Sequence, residues 1–151
     1  MKKFKFRLEP LLRLKEHNEK EKQKTFGLAA HKVARQEDVL HQLSRDRVET
    51  QLGQRGHLSG RIDTGRLLIY SRYLGKLKKN ELTGREILKA FITDRERKRD
   101  ELIEATKQKK IFEKLKERRR LAFLHGVEML TQKEQDDIAA KLFLAKKSSR
   151  G

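Results

Sequence analysis

The chain contains no cysteine and no tryptophan, has one proline, and only 6% of its residues are aromatic. Without cysteine, disulfides and thiolate metal sites are excluded, and a reducing compartment suits the composition. Apolar runs long enough to span a bilayer are also missing, and Lys2 to Leu14 is too charged for a secretory signal. The protein is therefore expected in the cytoplasm. Apolar residues amount to 35% against 40% charged, too few for a thick globular core. Such a polar chain either stays disordered or folds as long helices, each burying one narrow stripe.

What is present favours helices. Lys, Glu, Arg, Leu, Gln and Ala dominate, β-branched residues are scarce, and apolar residues recur at helical spacing. The formal net charge of +17 selects for acidic partners, whether nucleic acid, an anionic membrane surface or an acidic protein.

Phe4, Phe6 and Leu8 alternate with basic residues, and Glu9-Pro10 then reads as a helix start, since proline is tolerated in the first turn. Phe26, Val33 and Leu40, with Ala29 and Leu43, form a heptad seam. The same frame projects back to Leu12 and Leu8 across the polar stretch Lys15–Thr25. Forward, it lapses at Arg47, where Val48 and Leu52 take over. Gly53, Gly56, Gly60 and Gly65 mark a reversal, with Asp63 or Thr64 capping the next helix. The second seam runs through Leu67, Tyr70, Leu74, Leu77, Leu88, Phe91, Leu102, Ala105 and Phe112, interrupted by Glu81, Gly84, Arg95, Lys98 and Lys109.

The expected fold is all-α: two long helices in a single antiparallel coiled-coil hairpin, the second overhanging the first. The expected bounds are roughly 9–54 for helix one, 55–65 for the turn and 66–147 for helix two. In this register Pro10 faces a residue near 110, so helix two lacks an intrachain partner beyond about Lys114. That overhang is apolar at Leu121, Phe123, Leu124, Val127, Leu130, Ile138, Leu142 and Phe143, the mark of a binding surface.

No enzyme is expected. His17, His31, His41, His57 and His125 lie far apart and show no metal-ligand spacing, and no cofactor motif is present. Gly53-Gln-Arg-Gly56 lacks the Gly-Lys-Ser/Thr ending of a phosphate loop. The basic run Lys107–Arg120 keeps a nucleic-acid-binding coiled coil as the alternative function. It follows the seam rather than preceding it and lacks the residues of a base-reading helix.

Phe4-x-Phe6-x-Leu8-Glu9-x-Leu11-Leu12-x-Leu14, followed by a charged stretch with Glu19, resembles the opening of the flagellar FliJ family. So do Tyr70-x-x-Tyr73-Leu74-x-x-Leu77, Glu113-x-Leu115-x-x-Arg118 and Glu134-x-Asp136-Asp137-x-Ala139, in that order along nearly the whole chain. The chain departs from the family pattern in its high charge and in Asp136-Asp137, where Asp-Glu is more usual.

The resemblance implies a non-enzymatic stalk or adaptor of the flagellar type III export apparatus, at the cytoplasmic face of the inner membrane. Its implied partners are the export ATPase ring, the membrane export gate and export chaperones. The ATPase-binding residues would be Phe4, Leu8, Leu11 and Leu12 from the amino end. From the second helix they would be Lys116, Arg119, Arg120, Phe123, Leu124 and Leu130. The gate-binding residues would be Leu43, Tyr70, Tyr73 and Leu77. Tyr70 and Leu77 also fit the seam, whereas Tyr73 does not.

Overall fold

The computed structural model describes residues 3–148. Their regular structure is entirely helical: α1 spans Glu9–Gly56 and α2 spans Thr64–Ser148, and the two pack against each other. Two compact units divide the chain, one of residues 18–105 and one of residues 1–17 with 106–151.

In the first unit the chain runs out along α1, reverses between residues 57 and 63, and returns antiparallel along α2. The last turn of α1 tightens, with His57 N–H donating to the Gln54 carbonyl and Leu58 N–H to that of Arg55. Gly60 supplies the left-handed conformation at φ 90°, which a residue with Cβ adopts only under strain. Asp63 caps α2: its Oδ1 accepts from Gly65 N–H at 3.0 Å and from Arg66 N–H at 3.3 Å.

The seam here is apolar at Ala29, Val33 and Leu77, all buried, with polar contacts between. Contrary to the expected lapse, the α1 frame continues through Arg47. Val48 and Leu52 are exposed, while Arg47 Nη1 donates to Glu81 Oε2 at 3.0 Å across the seam. Gly84, an interruption of the expected apolar seam, lies inside an unbroken helix and is buried. A Cβ there would stand 2.8 Å from Leu40 Cδ2, so the missing side chain is what admits Leu40. Gln36 Nε2 also donates to the Gly84 carbonyl at 3.1 Å.

The polar stretch of α1 is bridged as well, since Lys22 Nζ meets Glu101 Oε2 at 2.8 Å and Glu19 is buried. Hydrogen bonding to Lys22, with the nearby Lys98 and Arg97 charges, holds the Glu101 carboxyl below its ordinary range. A lowered carboxylate pKa stabilises the fold above the unfolded-state value and is lost as pH falls through the folded one. Acidification below about pH 4 should therefore lower the melting temperature more for wild type than for Glu101→Gln. Equal falls would show that the bridge contributes nothing. At neutral pH, amide exchange should be faster over residues 18–25 than around Leu40 and Leu74, because polar contacts replace apolar ones there.

Candidate functional site: the terminal unit

The second unit is built on the non-helical segment 3–8, whose strict alternation turns Phe4, Phe6 and Leu8 inward and Lys5 and Arg7 outward. Phe6 is 7% exposed. Phe4 meets Phe123 with ring centroids 5.7 Å apart at 49°, a tilted arrangement favoured by ring quadrupoles. The Arg119 guanidinium lies over the Phe6 ring, 5.8 Å from its centroid. Lys116 Nζ sits 3.0 Å from Glu9 Oε1 and 2.8 Å from Oε2, tying the first residue of α1 to α2.

These contacts correct the expected overhang. The chain covers α2 as far as Phe123, well past Lys114, for two reasons. The paired residues sit several positions further along α2 than a Pro10–110 pairing implies, as Glu9–Lys116 shows. Segment 3–8 is also not helical, so each of its residues advances about 3.3 Å against 1.5 Å along a helix. Phe4 and Phe6 are two residues apart, yet their partners Phe123 and Arg119 are four apart. The part of α2 exposed at every residue is Glu128–Ser148.

The structure therefore brings together Phe4, Lys116, Arg119 and Phe123 from the expected ATPase-binding set, and Leu8 is half-buried beside them in sequence. Leu12, at 4% exposure, lies in the helix–helix contact. Leu11, Arg120, Leu124 and Leu130 are exposed. Sequence reasoning passed over Phe6, Glu9 and Arg13, which share a surface groove with Phe4 and Lys116. The alternation from Phe4 to Leu8 was the signal for Phe6; nothing in the sequence singles out Arg13. Within the basic run, Lys107, Lys110, Lys114 and Arg118 recur at spacings of three and four and are all exposed, a line of cations along one helical face.

Of the expected gate-binding residues, all in the turn-containing unit, Leu77 is 3% exposed and lies in the seam, and Leu43 is half-buried. Tyr70 is half-buried beside His57, ring centroids 5.4 Å apart, and a Cβ on Gly53 would meet its hydroxyl at 3.2 Å. Tyr73 is 45% exposed, and Ile69, one turn before it, is exposed too.

Among the described residues there is no cluster of His, Cys, Asp or Glu able to hold a metal. Likewise, no helix among them is long and apolar enough to cross a membrane. Two long helices joined by a heptad seam define an antiparallel coiled-coil protein. The chain belongs to the family described as Flagellar FliJ protein, matched over residues 4–148. That family is a non-enzymatic component of the flagellar export apparatus. No curated protein and no solved structure matches the chain.

Proposed function

We propose that the protein is a stalk or adaptor that binds the export ATPase ring through its terminal unit and the export gate through its turn-containing unit. The observation carrying the first half is the surface around Phe4 and Phe123. It packs two chain segments together, is flanked by Arg119 and Arg120, and continues into the bare helix beyond Val127. A basic rim beside apolar surface suits an acidic protein partner, with charge steering the encounter and apolar burial holding it. The second half rests on Tyr73 with Ile69, which project from α2 near the turn while Leu77 secures the seam behind them. An escort role for export chaperones belongs to the same reading.

A pull-down with purified export ATPase tests the first assignment. Deleting residues 132–151 leaves the Phe4–Phe123 contact in place and should sharply reduce capture. Undiminished capture would remove the bare helix from the site. Neutralising Lys107, Lys110, Lys114 and Arg118 should slow association and flatten its salt dependence, with a smaller effect on dissociation.

A further inference from the structure

The bare end of α2 has its charges sorted by sign along its length. From Glu128 to Asp137 it carries four carboxylates (Glu128, Glu134, Asp136, Asp137) against one cation, Lys133. From Ile138 to Ser148 it carries Lys141, Lys146 and Lys147 and no carboxylate. In a chain of net charge +17, this segment is balanced, and its two signs are sorted into successive halves. Every residue of it is exposed, including Leu130 at 63% and Phe143 at 68%, with Ile138, Leu142 and Leu144 close behind.

We infer that this segment is a pairing surface for a second copy of the chain, aligned antiparallel about a two-fold axis near Asp137–Ile138. In that arrangement the acidic half of each copy lies on the basic half of the other, and Leu130 and Leu144, two heptads apart on the face that also carries Glu134, Asp137 and Lys141, are covered between them. A two-fold interface must be self-complementary, and a helix with an acidic first half and a basic second half meets that condition only when antiparallel. A parallel pair would set like charge against like. Nucleic acid is a poor occupant because the first half would repel phosphate. The segment is about 30 Å long, so its interface falls at the small end of specific complexes and the dimer dissociates readily. The pairing stands independently of the ATPase assignment. Where both hold, the copy and the ring compete for this surface, so the dimer is the form from which the ring draws monomer.

Sedimentation equilibrium of the full chain, up to about 100 µM, tests the pairing. The mass should rise from monomer to dimer and plateau there. Two charge-reversed proteins sharpen the test. Glu134→Lys/Asp136→Lys/Asp137→Lys makes both halves basic, and Lys141→Glu/Lys146→Glu/Lys147→Glu makes both acidic. Each alone should stay monomeric, and an equimolar mixture should recover the dimer mass. Circular dichroism guards against lost helix, and Leu144→Ser, which leaves every charge in place, should weaken the dimer at least tenfold. A wild type that stays monomeric throughout, or a dimer indifferent to both reversals, overturns the inference. Because the readout is mass alone, failure here leaves the pull-down result untouched, and the reverse holds too.

Discussion

Replacing Arg47 with alanine is expected to destabilise the protein by about 2 kcal/mol, whereas Glu81→Met should change stability by less than about 1 kcal/mol and in either direction. The asymmetry follows from burial. Glu81 is 5% exposed, and its Oε1 has no hydrogen-bond partner among the described residues. Its Oε2 is held by Arg47 at 3.0 Å and more distantly by Arg85 at 4.0 Å. Removing Arg47 leaves a carboxylate inside the seam with only the long Arg85 contact, and the desolvation cost is no longer offset. Full burial of both partners would raise that cost further, but 38% of the Arg47 side chain remains accessible, so water replaces part of what is lost. Removing Glu81 instead takes away the group that was costly to bury and puts a flexible apolar side chain into the seam. Chemical denaturation of both single variants and the double variant, followed by circular dichroism, gives the coupling. Equal losses from the two single changes would show the pair to be net stabilising and the burial argument to be wrong.

At Gly84 the expected results depend on size. Gly84→Phe should cost about 3 kcal/mol, because the ring cannot be accommodated without separating α1 from α2 and breaking the Gln36 hydrogen bond to the Gly84 carbonyl. Gly84→Ala should stay within about 1 kcal/mol of wild type. Its Cβ would come within 2.8 Å of a Leu40 terminal methyl and 3.3 Å of Gln36 Nε2, both ends of flexible side chains that can swing aside. Alanine also recovers helix propensity of about 1 kcal/mol lost at glycine. Melting temperatures of the two variants separate the cases. An alanine variant as unstable as the phenylalanine one would mean that Leu40 has nowhere to move.

These two sites also show where the sequence could be read and where it could not. Helix identity, the reversal and the apolar seam positions follow from spacing and breaker density, because each depends on one strand at a time. Arg47, Glu81, Gly84 and Lys22 sit in frame yet break the apolar pattern, so along one strand each looks like a defect. Their role depends on what faces them: a cation opposite a buried carboxylate, a leucine opposite a missing side chain, an ammonium opposite Glu101. Register at that resolution is a property of two strands. The terminal surface was legible as apolar and basic, but its extent was not, chiefly because the pairing of the two helices sits several positions further along α2, as Glu9–Lys116 shows, and in lesser part because Phe4–Phe6 is extended. Leu77 and Leu12 fitted the seam from the outset, and their burial places them in the zipper behind the exposed Tyr73 and Leu11.

The non-helical segment 3–8 also acts as a gear. Between Phe4 and Phe6 each residue covers about two residues of α2, as the Phe4–Phe123 and Phe6–Arg119 contacts show. Losing or adding two residues between Phe4 and Phe6 would shift the edge between covered and bare α2 by about one helical turn. The same change within the reversal at residues 57–63 would alter only a loop. Small changes in the length of this segment thus set how much of α2 is left bare.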